Sequence, residues 1–307
     1  YFSTEIYIRN TDWPGNNIEF FRRKTTAYEP NAPHGQDGRW RWVLKDTDFG
    51  FGGYGGEFCY LHNTLAFATL ENGPGWPNPD WSTFLLRKLL ENNEFKNQFI
   101  NRFADLMNTT FLPNRVKSII DDMKEGIENE IGGHRQRWND GTVSQWNNSI
   151  EVMKTFAEER PAQQRNHILQ KFSINSTIDA TLDVSSTEHG NIKINTIEIK
   201  DGTPGIVGNP YPWTGIYFEN IPVKLKAIAS PGFTFSHWSG ASNSTDEEII
   251  FTPTDDFSIV AHFVTAGETP QPETIYFWMM DNAIVNDTPL QSIGATFEVG
   301  GTASLIY

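Results

Sequence analysis

The chain has 307 residues, 38% of them hydrophobic and 13% aromatic, which supports two or three cored domains and argues against disorder. Its net charge of −14 argues against a nucleic-acid partner, because phosphate backbones are held by basic patches. The single cysteine, Cys59, excludes an intramolecular disulfide or a cysteine-based zinc site, and no apolar run of about eighteen residues offers a transmembrane segment.

Residues 4–9, 18–23 and 39–46 read as strands, being rich in β-branched and aromatic residues and separated by Pro, Gly and Asn. Between the first two lies Asp12-Trp13-Pro14-Gly15-Asn16-Asn17, and the third ends in Asp46-Thr47-Asp48-Phe49-Gly50. An acid, an amide shortly after it, and a later strand ending in acids is the order in which protein-kinase-type enzymes place a base and their metal ligands. A transferring phosphoryl group spreads negative charge over its oxygens, so the chemistry needs positioning and a hard cation with oxygen ligands. Asp12 would orient or deprotonate the attacking hydroxyl. Asn17, with Asp46, Asp48 or both, would hold the cation. The same residue types also build ordinary tight turns, so spacing alone leaves both readings open. The intervening residues 24–38 read as a loop, either a substrate-facing one or a plain connection.

Three segments together resemble the spore coat protein H (CotH) kinase family: the T-D-W-P-G-N-N core, R-W-R-W-V-L-K-D-T-D-F-G-F-G, and the later E-F-K-N-Q-F-I-N-R-F-A-D-L-M-N-T-T-F. The resemblance runs from Tyr1 to about Phe172. It implies a secreted or envelope-associated atypical protein kinase that uses ATP with Mg²⁺ or Mn²⁺ on a protein substrate. By it, Asp12 is the catalytic-loop acid, Asn17 the metal-binding amide, and Asp46 and Asp48 the metal-binding acids. Pro14 stands where many protein kinases carry a lysine. The chain opens only eleven residues before Asp12, which leaves no room upstream for a Gly-rich phosphate cover and its lysine. The expectation is therefore a piece that starts inside the catalytic domain and lacks kinase activity by itself.

Gly50-Phe51-Gly52-Gly53-Tyr54-Gly55 satisfies G-x-G-x-x-G, yet no helical periodicity follows it, so a loop comparable to an activation segment is the better reading than a dinucleotide fingerprint. Helical stripes come next. Phe95, Phe99, Phe103 and Leu106/Met107 recur on one face, with Asn92 or Asn93 as cap. Val116, Ile119, Ile120, Met123, Ile127 and Ile131 form a second stripe that Gly132-Gly133 should stop. Trp146, Ile150 and Met153 open a third helix through Phe156, and Pro161 should start another ending near Phe172. All these apolar positions read as core. The group His134, Arg135, Arg137 and Trp138 reads as charge stabilisation at a helix end with a packed tryptophan.

Beyond Phe172 arginine disappears and alternation replaces helical periodicity, at 192–199, 223–229 and 258–263. The segment V-K-L-K-A-I-A-S-P-G-F-T-F-S-H-W-S-G with T-D-D-F-S-I-V-A-H-F is similar to internalin-type B repeats, β modules of bacterial surface proteins. Phe233, Phe235 and Trp238 read as alternating onto one face, with Gly232 and Gly240 at turns. Trp213 and Trp238 are candidates for stacking on sugars, though core packing is the simpler reading. The expected organisation is α+β: a kinase-like large lobe over 1–174, a β domain over 186–265, and a linker with a partial third β unit over 266–307. The expected setting is a bacterial surface or extracellular one. The alternative to an enzyme is a non-catalytic surface protein that binds glycan or protein through its β modules, and a nucleotidyl transferase is a third reading.

Overall fold

A computed structural model of the chain describes residues 1–75 and 78–267. The proposed third β unit and most of its linker lie outside the described residues. The architecture is α+β: a mainly helical N-terminal part with one small hairpin, followed by two four-stranded sheets.

The chain starts with helix α1 (Phe2–Tyr7), not the strand expected over 4–9. Alternation would bury every second side chain, but Glu5, Ile6, Tyr7 and Ile8 are all buried. Tertiary burial on successive residues overrides their β propensity. The end of this short helix is held from outside: the Arg160 guanidinium donates to the Ile6 and Tyr7 carbonyls, both at 2.9 Å, supplying partners a helix end lacks. Strands β1 (Glu19–Phe21) and β2 (Arg41–Val43) then pair antiparallel as a hairpin, shorter than the expected strands.

Helix α2 (Thr64–Phe67) and helix α3 (Phe84–Leu90) lead into α4 (Asn93–Met107). Asn92 caps α4 by accepting from the Phe95 N–H at 2.9 Å, and Phe99, Phe103, Leu106 and Met107 are buried, as the stripe predicts. Helices α5 (Pro113–Trp138) and α6 (Val143–Phe172) form a long antiparallel pair that departs from expectation twice. First, α5 runs through Gly132-Gly133 and ends on Asn139, which takes the left-handed conformation at φ 50°. Two helical glycines cost about 1 kcal/mol each, too little to stop a helix whose remaining residues favour it. Second, α6 is continuous through Pro161 rather than broken before it. Only Val116 and Ile120 of the α5 stripe are buried; Ile119, Met123 and Ile127 are exposed. Trp138 is exposed too, under the Arg137 guanidinium, while Arg135 ion-pairs with Asp140 at 2.8 Å.

The β part begins with β3 (Thr177–Val184), a strand that lies ahead of the expected start at residue 186. One sheet has the order β6-β3-β10-β8, with β6 (Trp213–Phe218), β8 (Phe233–Gly240) and β10 (Phe257–Thr265); β3 and β10 run parallel. The other has the order β5-β4-β7-β9, with β4 (Gly190–Ile194), β5 (Ile197–Ile199), β7 (Val223–Ala229) and β9 (Glu248–Phe251). The single alternating run at 192–199 is thus a hairpin, turned at Asn195 with φ 46°.

Strict alternation would put Trp238 on the opposite face from Phe235. A register shift against His262/Phe263 supplies the extra residue of a bulge, and the two rings meet at 5.2 Å. Trp238 is fully buried and its indole N–H donates to the Asp246 carbonyl at 2.9 Å, so it is core and unavailable for stacking on a sugar; Trp213 is only partly buried. His237 and His262 face each other across β8 and β10 with parallel rings 4.4 Å apart.

The helical and β parts share one hydrophobic core. At their junction Asp105 of α4 is buried and accepts from the Thr196 N–H at 2.9 Å, the Thr196 hydroxyl at 2.5 Å and the Tyr217 hydroxyl at 3.0 Å. Asn108 accepts from the Ile216 N–H and donates to the Ile216 carbonyl, mimicking one more strand residue.

Candidate functional site

The turn from Asn10 to Asn17 and the segment from Asp46 to Phe51 lie side by side at the root of the β1–β2 hairpin. Two bonds clamp them: the Phe51 N–H donates to the Ile8 carbonyl at 2.9 Å, and Asn10 Nδ2 donates to the Asp46 carbonyl at 3.3 Å. Gly50 sits within this clamp. A Cβ there would come within 2.9 Å of the Thr47 carbonyl oxygen and 3.2 Å of that of Ile8, so only glycine permits the approach.

Asn17 Nδ2 donates to Asp12 Oδ2 at 2.9 Å, and Asn16 Nδ2 donates to Asp12 Oδ1 at 3.1 Å. Each carboxylate oxygen of Asp12 therefore has an amide donor fixing its direction. Asn17 has φ 51° and Asp46 φ 49°, left-handed conformations that Asn and Asp tolerate better than other side chains. Arg9 also lies there, at φ 68°, and its guanidinium donates to the Tyr54 carbonyl in the glycine-rich loop. Left-handed residues gathered at one place are a mark of functional turns.

Asp46 and Asp48 form a carboxyl pair. The hydrogen bond with Asp48 holds the Asp46 carboxyl above its ordinary range, with desolvation and the negative charges of Asp48 and Asp12 adding to the effect. The structure thus brings the four sequence-predicted residues into one neighbourhood, with Asn17 hydrogen-bonded to Asp12 and with Asp46 feeling the carboxyls of Asp48 and Asp12. Among the described residues no three His, Cys, Asp or Glu side chains converge as a ready-made cation cage. The donor set is instead two carboxylates and an amide, oxygen chemistry that suits Mg²⁺ or Mn²⁺. Asp46 and Asp48 are exposed and Asp12 and Asn17 half-buried, while a cavity of about 720 Å³ lined by Leu112, Arg115, Ile119, Glu158 and Val207 includes none of the four.

The residues 1–163 match the family model described as CotH kinase protein, just over half of the chain. The chain belongs to the CotH kinase family. No curated protein and no solved structure matches it. The matched segment of this CotH family member ends inside α6, so it contains both halves of the site and the arginine that supports them.

That arginine, Arg160, was not singled out by sequence. It is fully buried and donates to the carbonyls of Ile6, Tyr7, Tyr60 and His62 and to Gln164. Burial lowers it to about 10, still well above neutrality, so it stays charged with carbonyl oxygens as its solvent. His62 and His167 lie near this charge, and burial followed by the positive arginines lowers both to about 4. Asn10 was also missed as a functional residue, although it stands within the motif. It is fully buried, its Nδ2 donates to Glu5 Oε2 at 2.9 Å, and its Oδ1 accepts the Asp12 N–H at 3.1 Å. Nothing marks Arg160 in the sequence beyond being one arginine before a proline. No helix follows the G-x-G-x-x-G run; a short 3₁₀ turn at Cys59–Leu61 does, consistent with a loop.

Proposed function

We propose that this CotH family member belongs to a phosphotransferase that moves the γ-phosphoryl group of ATP to a protein hydroxyl. The observation that carries the reading is the Asp12–Asn17 hydrogen bond, with the Asp46–Asp48 carboxyl pair close enough to feel Asp12. In this reading Asp12 orients the acceptor hydroxyl and takes up its proton at a carboxylate oxygen. Asn17, Asp46 and Asp48 supply oxygen donors, and the divalent cation they suit neutralises phosphate charge when bound. Pro14, buried beside the acid, brings no charge to the phosphate, so more of that stabilisation falls to the carboxyl–amide site.

Mn²⁺ binding followed by electron paramagnetic resonance tests this directly. Binding that weakens at least tenfold in Asp46→Ala and Asn17→Ala, about 1.4 kcal/mol, supports the reading; equal binding in wild type and variants refutes it. Calorimetry with Mg-ATP then separates nucleotide binding from simple cation binding, and mass spectrometry of a modified protein distinguishes phosphate from AMP addition.

The β part, by its similarity to internalin-type B repeats, supports a place on a bacterial surface or outside the cell. A second reading, a non-catalytic surface scaffold, draws on the exposure of Asp46 and Asp48. Glycan binding that disappears in Trp213→Ala would favour it.

A further inference from the structure

The hairpin rooted in the carboxyl–amide site is basic and aromatic in an otherwise acidic protein. Between Glu19 and Lys45 stand six Arg or Lys residues and three Asp or Glu, against a net charge of −14 for the whole chain. Asp37 pairs with Arg39 and Arg41, each at 2.7 Å, and Glu19 pairs with Lys45. Arg22, Arg23 and Lys24 have no carboxylate partner among the described residues; Arg23 donates to the neutral Gln36 side chain at 3.1 Å.

Beside these cations the aromatic surface is open. Phe20 is 57% exposed and Trp40 52% exposed, with Phe20 edge-on to Trp40 at 5.4 Å and the Arg22 guanidinium 5.0 Å above the Trp40 ring. Tyr28, also exposed, carries the Arg39 guanidinium at 5.0 Å. Exposed rings grouped with unpaired cations mark a contact surface, since each ring left in water forfeits the free energy of its burial. The location gives the surface its meaning: Asn17 precedes β1 and Asp46 and Asp48 follow β2, so a chain lying along the hairpin reaches Asp12.

We propose that the β1–β2 hairpin docks an acidic segment of the protein substrate. Its carboxylates meet Arg22, Arg23 and Lys24, and an apolar side chain covers Phe20 and Trp40. Charge complementarity selects this occupant. Three uncompensated cations in a protein of net charge −14 are too few to hold a nucleic acid through counterion release. That the docked segment is a substrate rests on the phosphotransferase reading; that it docks does not.

Fluorescence anisotropy with two labelled peptides tests the proposal on the full chain: one alternates Glu and Ser around a single Phe, and its counterpart carries Lys for Glu. The acidic peptide is expected to bind, to be released by about 0.5 M sodium chloride, and to weaken at least tenfold in the triple variant Arg22→Glu, Arg23→Glu, Lys24→Glu. Trp40→Ala should weaken it about fivefold. Because all four side chains face solvent, circular-dichroism melting of the variants should match wild type. Equal binding of the two peptides, no loss in the triple variant, displacement by Mg-ATP, or tighter binding of an oligonucleotide would each overturn the proposal. Peptide binding as expected with no Mn²⁺ binding would leave the docking surface standing and remove the phosphotransferase reading.

Discussion

Asn10 reaches across to Asp46, donating from its side-chain amide to the Asp46 carbonyl at 3.3 Å while its own oxygen accepts the Asp12 N–H at 3.1 Å. One buried side chain therefore sets the spacing between the proposed base and the first proposed metal acid. Replacing it with alanine would strand the Asp12 N–H and the Glu5 carboxyl, a loss of about 1 to 3 kcal/mol. We expect Asn10→Ala to weaken Mn²⁺ binding about tenfold. Asn10→Ala that unfolds as easily as expected yet binds Mn²⁺ like wild type would show that Asn10 serves stability alone.

Asp46 holds its proton more tightly than an ordinary carboxyl, first because of its bond with Asp48. A divalent cation must displace that proton, so affinity should fall as pH falls through the raised Asp46 value. Carbon-detected NMR titration of the side-chain carboxyls should place Asp46 above the usual aspartate range, and Asp48→Asn should bring it down. An unchanged Asp46 titration in Asp48→Asn would contradict the pairing.

Two histidines give the fold a pH limit. Burial first, and then the positive charge of Arg9 and Arg160 beside His62 and of Arg160 beside His167, lowers both to about 4 from the ordinary 6.5. Their neutral forms belong to the folded state, so the unfolded chain binds more protons between these values. Their contribution is complete above pH 6.5 and is lost as pH falls toward 4. The pair should account for roughly 2 to 4 kcal/mol, allowing for solvent at the partly exposed His62. Urea unfolding across that range, in wild type and in His62→Gln/His167→Gln, should show the steeper slope only in wild type.

Arg160→Ala removes the donors to four carbonyls at once, and we expect a loss of at least about 3 kcal/mol. Arg160→Lys should rescue only part of it, because an ammonium cannot reach four carbonyls that a planar guanidinium spans. Full rescue by lysine, measured by urea unfolding, would mean the charge matters and the fork does not.

Asp105 joins the two parts of the chain. Burial raises its carboxyl, and the donors Thr196, Tyr217 and Asn195 act against that rise. Asp105→Ala would leave the Tyr217 hydroxyl and the Thr196 N–H buried without a partner, a cost of about 2 to 4 kcal/mol. If the parts act as one unit, a single unfolding transition should move to lower urea. Separation into two transitions with an unchanged β part would mean that the shared core is not cooperative.

The α+β class, a cap at Asn92 or Asn93, the buried stripe of α4 and the strand runs at 223–229 and 258–263 were legible because periodicity and caps are local signals. Other features were not. Residues 4–9 carry strand-like side chains, and the helix there is finished by partners far away in sequence: the Arg160 guanidinium on the Ile6 and Tyr7 carbonyls and the Phe51 N–H on the Ile8 carbonyl. The bulge that brings Trp238 beside Phe235 depends on the register of β8 against β10, which no alternation within one strand records. The α5 stripe promised burial and received little, because amphipathicity shows which face is apolar and not whether anything covers it.

What the sequence determined by itself is the chemistry available: an acid and an amide at Asp12 and Asn17, and two further acids after a strand. Only the tertiary structure decided that these meet. Asp46 comes beside Asp12 because a buried asparagine and a glycine-tight clamp fold two turns against each other, and that clamp rests on a guanidinium some 150 residues further on, bonded to Tyr7 across a separation of 153 positions. Side-chain chemistry is written residue by residue, whereas proximity is set by burial and by polar partners that lie far apart along the chain.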